Sequence, residues 1–300
     1  MDGILPLYKD RGMTSHDAVF KCRKIFKTRK VGHSGTLDPN VDGVLPICIG
    51  KATKMVNYLM ESGKIYHGEI TLGFATETED LDGAVVEKQP LKQAFSDEII
   101  EEAMQSLVGD IIQIPPMYSA VKVNGRRLYD YARNGETVER PKRQIHVDYF
   151  KMNGKSSFDE TTGYQKFRFE VGCGKGTYVR TLAVDLGQKL GVPAVMSDLT
   201  RLKSGGFVIG QAVSLAQLEQ MDEVQLQASL FAPEVALKDV PKYELAGHEW
   251  KIVKNGGFLP GNLGLNTPQV MLFYGQKLRA LYKYDTVKNC FKPEQMIDLT

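Results

Sequence analysis

An aspartate followed by proline, Asp38-Pro39, closes the stretch GHSGTLDP at residues 32–39. Two glycines (Gly32 and Gly35), a histidine and two hydroxyls precede the carboxylate, a mixture too polar and too bendable for a core. Proline biases the residue before it toward extended backbone, which holds the Asp38 carboxylate outward. Such a carboxylate can act as nucleophile, general base or charge stabiliser, and its plainer use is an Asx turn. Arg180 bears on that choice. It falls in the first turn of a helix expected from near Thr177, where the helix dipole disfavours a cation. Its compensating anion could be a phosphate, a surface glutamate or a buried carboxylate such as Asp38. In the last case the pair is expected to keep Asp38 ionised, below its reference pKa of about 3.9, and to aim it bidentately.

Other chemistries find less support. GKGT at 174–177 lacks the phosphate-loop order, because Gly176 follows Lys175. His16, His33, His67, His146 and His248 are dispersed singles, so no metal is expected. Ser34, Ser119 and Ser204 lack the G-x-S-x-G setting of a serine hydrolase. Tyr66 reads as half-buried packing on an alternating strand, and Tyr178 and Leu199 are unremarkable by composition.

The elements that must position these residues follow from periodicity. GILPLYK is expected as a strand, then SHDAVFKCRKIFK as an amphipathic helix capped by Thr14 or Ser15. VLPICIG reads as a buried strand and KATKMVNYLM as a helix ending near Ser62-Gly63. KIYHGEITLGF alternates, with Tyr66, Gly68, Ile70 and Leu72 on one face. DEIIEEAMQSLVG is an acidic helix closed by Gly109. YQKFRFEVGCGKG is a strand, and TYVRTLAVDLGQKLG is a helix with a stripe of Val179, Leu182, Leu186 and Leu190. Residues 115–143 are basic and aromatic, with turn signals at Asn124-Gly125 and Asn134-Gly135. From about Leu237 the chain becomes short-stranded and Gly/Pro-punctuated, the mark of a small β-rich domain.

The chain has 300 residues, 42% hydrophobic and 25% charged, ordinary for a soluble globular protein. Its net charge of +2 hides a segregation. KCRKIFKTRK carries six basic residues and no acid, whereas residues 87–110 hold six acids against two lysines. Together with Arg126, Arg127, Arg133, Tyr129 and Tyr131, this suits a looped or single-stranded RNA. No signal-peptide pattern and no apolar run of about 20 residues is found, so a cytoplasmic protein is expected. Cys22, Cys48, Cys173 and Cys290 form no C-x-x-C pair and read as buried reduced thiols.

From GHSGTLDP onward the chain resembles the bacterial tRNA pseudouridine synthase B family. The likeness runs through KIYHGEITLGFATETEDLDG, GDIIQIPPMYSAVKVNGRRLYDYAR, GKGTYVRTLAVDLG and LTRLKSGGF, covering nearly all of residues 1–210. It implies a mixed α/β (α+β) catalytic domain around a largely antiparallel sheet at 1–236, with a thumb at about 117–143. A small PUA-like RNA-binding domain would occupy 237–300. The implied activity is isomerisation of the T-loop uridine at tRNA position 55, with base flipping and neither metal nor cofactor. Asp38 would be the nucleophile, with Tyr66 the active-site tyrosine and Arg180 the pairing arginine. His33 would enter the RNA loop, while Gly35, Thr36, Leu37, Tyr178 and Leu199 contact the substrate. Lys24 of the basic helix and Arg126, Arg127, Tyr129 and Arg133 of the thumb would touch RNA. The implied partner is the T-arm of tRNA, bound by a monomer. Ser34 stands where threonine is common, and Asn40-Val41-Asp42 replaces a more apolar trio, so Asp42 has no implied role. A guide-RNA-dependent synthase and a non-catalytic RNA-folding module are the alternatives.

Overall fold

Alternation of apolar and polar residues builds the sheet on which the candidate residues are mounted. In the computed structural model, which describes residues 1–300, β1 (Gly3–Lys9) leads into α1 (Ser15–Ile25). Thr14 caps α1 reciprocally: its hydroxyl accepts from the Asp17 amide, and its own amide donates to the Asp17 carboxylate at 3.0 Å. A short β2 (Val31–His33) enters the polar loop and β3 (Asp42–Ile49) leaves it. A 3-10 turn and α2 (Val56–Glu61) follow, then β4 (Lys64–Leu72), on which Tyr66, Gly68, Ile70 and Leu72 are buried as the alternation predicts. β5 (Phe74–Thr76) and β6 (Val85–Lys88) form a separate hairpin.

The acidic helix α3 (Asp97–Gln105) is shorter than its sequence suggests. Gly109 does not close it but opens β7 (Gly109–Gln113) at a φ of +93°. In the thumb region β8 (Lys122–Val123) and β9 (Arg126–Arg127) turn through Asn124-Gly125, both at positive φ as a two-residue hairpin demands, and α4 (Leu128–Arg133) follows. β10 (Arg143–Met152), β11 (Ser157–Asp159) and β12 (Tyr164–Cys173) precede α5 (Val179–Leu190). α5 begins two residues later than expected, at Tyr178 as cap, and buries Arg180 along with its apolar stripe. β13 (Ala194–Ser204), β14 (Phe207–Val208), β15 (Val213–Ser214), α6 (Leu215–Glu219) and α7 (Glu223–Ala228) complete this part.

The main sheet runs β15-β1-β3-β13-β4-β12-β10-β7, with β2, β11 and β14 attached beside it. Neighbours are antiparallel except β1 with β15 and β3 with β13. Odd residues of β1 and β3 (Leu5, Leu45, Ile47) face a core shared with α1, α3 and α5. Even ones (Ile4, Val44, Cys48) face the opposite layer, with Ala52, Leu59 and Phe207.

A second sheet is formed by β16 (Lys242–Glu244), β17 (Leu259–Pro260), β18 (Gln269–Tyr274), β19 (Lys277–Asp285) and β20 (Cys290–Met296), with α8 (Gly247–Val253) against it. Its docking surface is the turn before α2. Met55 packs with Leu237, Met271, Phe273 and Leu281, and Lys54 Nζ donates to the Met296 carbonyl at 2.6 Å. Cys290, at the first position of β20, is only half-buried, whereas the other three cysteines are buried. No helix is long and apolar enough to cross a membrane.

One junction in the main sheet is narrow. β3 meets β13 only at Asp42–Thr200 and Gly43–Arg201, whereas β1 pairs with β3 along its whole length. Gly43 sits there at a φ of +110°, and an added Cβ would overlap the Arg201 carbonyl. Gly43→Ala is therefore expected to destabilise by about 3 kcal/mol or more, through strain and overlap together. Gly210→Ala, in open space, is the near-neutral control. A thermal midpoint for Gly43→Ala equal to that control would contradict the close approach.

Candidate active site

The loop at 34–41 is held from both sides. On one side Lys9, fully buried, donates through Nζ to the carbonyls of Asp10 (2.9 Å), Met13 (2.8 Å) and Pro39 (3.1 Å). On the other, Arg201 donates to Val44 O at 2.7 Å, Gly35 O at 3.2 Å and Thr36 O at 3.4 Å. Gly35 makes the bend at a φ of +87°, and the Leu37 amide donates to the buried Ser15 hydroxyl at 2.9 Å. Asp38 is thus presented by a loop whose backbone carbonyls are tied to two buried cations.

Arg180 meets it from α5. Its Nε lies 3.0 Å from Asp38 Oδ2, and Nη2 donates to Oδ1 at 3.4 Å, a two-point contact. The remaining donors reach Thr78 O at 2.7 Å and Tyr118 O at 3.0 Å, and Asp80 lies 3.6 Å from Nε. The guanidinium is 6% exposed and the Asp38 carboxylate 38%. The compensating anion that the helix position demands is therefore Asp38, supported by Asp80.

The effect on Asp38 is the reverse of the sequence expectation. Dehydration raises its pKa above the ordinary value of 3.8, and Asp80 and Asp82 raise it further. Arg180 and Lys9 pull downward but do not outweigh burial. Arginine pairing alone favours the ionised form; burial and the two neighbouring acids reverse it. A second cavity of 220 Å³ meets Asp38 from the side of Asp80, Asp82 and Asp198.

Another cavity, of 410 Å³, has Asp38 and Arg180 among its lining. Gly35, Thr36, Leu37, Tyr66, Tyr178 and Leu199 line it too, and so do Arg127 and Tyr129 of the thumb region. Burial raises the pKa of the Tyr66 hydroxyl, against the pull of Arg201, so this group stays protonated. Tyr178 is fixed through its backbone: Gln113 Nε2 donates to its carbonyl at 3.1 Å and Gln113 Oε1 accepts from its amide at 2.8 Å. Four candidates lie off this lining. Lys24 belongs to a basic groove on α1, and His33 sits in β2 with its Nδ1 buried and unpartnered. Arg126 pairs with Glu136 at 2.9 Å, and Arg133 lies 5.6 Å from the Tyr129 ring.

Sequence reasoning missed Lys64, Arg201, Tyr118 and Ser119 on the lining, and Thr78 and Asp80 beneath it. Lys64 opens an alternating strand and its face could have been read; Asp80 lies in an acidic turn that nothing in composition separates from a solvated one. That turn carries a sign only the backbone shows: Glu79 adopts a φ of +66°, while its carboxylate accepts from Thr181 at 2.6 Å.

Comparison with known proteins places this geometry. The description "TruB family pseudouridylate synthase (N terminal domain)" matches residues 23–179, and "tRNA pseudouridylate synthase B C-terminal domain" matches residues 180–238. A protein named tRNA pseudouridine synthase B from Ligilactobacillus salivarius is 64% identical over 100% of both chains. Another of that name from Levilactobacillus brevis is 58% identical over 99% of each. Among solved structures, a chain of "a Cbf5-Nop10-Gar1 Complex" superposes with a TM-score of 0.73 at 26% identity, covering 99% of this chain and 85% of that one. With the two family matches covering more than half its length and full-length relatives at this identity, the chain belongs to the TruB family of pseudouridylate synthases.

Proposed function

We propose that this chain converts the T-loop uridine at tRNA position 55 to pseudouridine, acting as a monomer in the cytoplasm. Transfer RNA as substrate follows the name its 64% identical relative carries. The observation that carries the mechanism is the Asp38–Arg180 contact at 3.0 Å in the lining of a 410 Å³ cavity, a volume suited to one extruded nucleotide.

The reaction is an isomerisation. The C1′–N1 bond breaks, the C1′–C5 bond forms, C5 loses a proton and N1 gains one, so no oxidant or donor group enters. Asp38 presents an ionised oxygen to the sugar–base junction. Arg180 holds that charge and its direction. Tyr66 lies beneath the uracil, with Leu199 and Tyr178 completing the pocket. Extruding the base costs a few kcal/mol, less in a loop than in a duplex, and His33 offsets part of it by filling the vacated space. Lys64, Lys175 and Arg127 at the cavity meet the flanking phosphates. The groove formed by Phe20, Arg23, Lys24, Lys27, Thr28 and Arg29 offers further cations to the RNA backbone, and none of them is engaged in an ion pair. Residues 117–143 close over the T-loop, and residues 237–300 hold a more distant part of the tRNA. A guide-dependent role gains interest from the likeness to Cbf5 in its protein complex. Turnover of a bare T-arm stem-loop by the purified chain distinguishes the two.

Three outcomes test the reading. C5-tritiated T-arm RNA is expected to release tritium to water with the parental chain, and Asp38→Asn to slow release about ten-thousand-fold or more with RNA binding retained. Parental speed in that variant would end the proposal. The reactive form is the carboxylate and its pKa is raised, so the rate is expected to fall as pH drops through a value above 3.8. Arg180→Gln should move that acid limb to still higher pH, because it removes the strongest downward influence. A limb that stays in place or moves down would refute the tuning. Finally, Lys24→Ala with Lys27→Ala is expected to weaken tRNA binding and flatten its salt dependence by about one unit of slope per lost phosphate contact. The rate at saturating tRNA should hold.

A further inference from the structure

The narrow junction of the main sheet separates the two halves of the candidate site. Asp38 rides on the loop that enters β3, while Tyr66 and Leu199 ride on β4 and β13. Between these halves the backbone offers only the pairs Asp42–Thr200 and Gly43–Arg201. The distance from the reacting carboxylate to the base pocket is therefore set across a junction of only two residue pairs.

Side chains reinforce that place, and Asp42 is their centre. Its Oδ2 accepts from the Tyr8 hydroxyl of β1 at 2.9 Å, and its Oδ1 accepts from the Thr200 hydroxyl of β13 at 2.6 Å. Arg11 adds Nε at 3.3 Å from Oδ2 and Nη2 at 3.4 Å from Oδ1. The same arginine reaches onward to Asp198 at 2.7 Å and to the Leu199 carbonyl at 3.4 Å. One carboxylate thus joins β1, the turn after it and β13, and its arginine grips the backbone of a pocket residue. Burial works against the charge on Asp42, but the bonds from Thr200, Arg11 and Tyr8 prevail and hold its pKa below the ordinary value.

Asp42 lines neither cavity that meets Asp38. Both of its oxygens are already taken up by Tyr8, Thr200 and Arg11, so its service is mechanical. Arg11 with Asp42 alone would be a half-exposed ion pair of little worth. The hydroxyl donors are different, because the carboxylate they bond is only 16% exposed and bonds to a charged acceptor are about twice as strong as neutral ones.

We infer that Asp42 is a positioning residue: with Tyr8, Arg11 and Thr200 it clasps β3 to β13 and thereby sets the placement of Asp38 against the pocket at Tyr66 and Leu199. The catalytic consequence rests on the proposed role of Asp38; the clasp itself does not.

The experiment uses the full chain and unmodified tRNA transcript, at a temperature where circular dichroism shows every variant folded. Asp42→Asn and Thr200→Val are each expected to lower the single-turnover rate about tenfold to a hundredfold, the usual consequence of an ångström-scale misplacement, with KM for tRNA within about twofold of the parent. Thr200→Ser, which keeps the hydroxyl, should restore the rate. The double variant should lose no more than the worse single one, because both remove the charge-assisted bond between Thr200 and the carboxylate. Amide exchange in residues 35–44 should quicken in Asp42→Asn and Thr200→Val but not in Thr200→Ser. A parental rate with only a lowered thermal midpoint, or a changed KM with an unchanged rate, overturns the positioning role. Unaltered exchange overturns the clasp. A parental chain that forms no pseudouridine, yet shows the exchange pattern, removes the functional reading and leaves the clasp standing.

Discussion

A guanidinium that is 6% exposed at the start of a helix is the constraint around which this structure is arranged. Arg180 sits where the dipole of α5 repels it and where little water can hydrate it, so its charge must be met by protein. Asp38 and Asp80 supply the negative charge, and the carbonyls of Thr78 and Tyr118 take the remaining donors. These partners come from three separate stretches of chain. The loop that carries Asp38, the acidic turn and the segment at Tyr118 are thereby fixed to one another and to α5 through one side chain. Removing one partner would leave a buried ion incompletely met, which is far costlier than the loss of a surface pair.

The loop that carries Asp38 is held by one device used twice, a buried cation capped by carbonyls. Lys9 gathers the carbonyls of Asp10, Met13 and Pro39, and Arg201 gathers those of Gly35, Thr36 and Val44. Burial draws the Lys9 pKa down to about 8, with Asp42 and Asp38 partly resisting. Such a loop keeps Thr36 and Asp38 for the cavity, since its backbone is satisfied from behind. The polarity of GHSGTLDP, puzzling in a segment packed against the core, follows from that division of labour.

Periodicity made the scaffold legible. The alternation of KIYHGEITLGF placed Tyr66 on the buried face of β4, and the capping signals at Thr14 and Ser15 located the start of α1 to within one residue. Asp38 and Arg180 stood out because each breaks a local preference, a bent polar loop in one case and a cation at a helix start in the other. What escaped depends on contacts between residues distant in sequence. Asp80 became visible only when its turn folded beneath Arg180. Arg201 reads as an ordinary strand residue until its carbonyl partners, more than 150 positions away, are known. The direction of the Asp38 pKa failed for the same reason: one neighbouring charge could be guessed from sequence, and the balance of burial, Asp80 and Asp82 could not.

That balance has a chemical meaning. A carboxylate held far below its ordinary pKa is a poor base and a poor nucleophile, while one pushed above the working pH is protonated and inert. Burial with Asp80 and Asp82 pushes Asp38 up, and Arg180 with Lys9 restrains it. The folded pKa lies above the unfolded one, so this group favours the fold most below the unfolded value, and that contribution is lost as pH rises through the folded value. At neutral pH the ionised Asp38 is therefore a burden on stability that the surrounding bonds must outweigh. A site selected for stability alone would replace Asp38 and Arg180 together with uncharged residues. An ionised Asp38 beside a buried arginine, on a loop fixed from behind by Lys9 and Arg201, is what the proposed reacting role requires and what a merely structural turn does not.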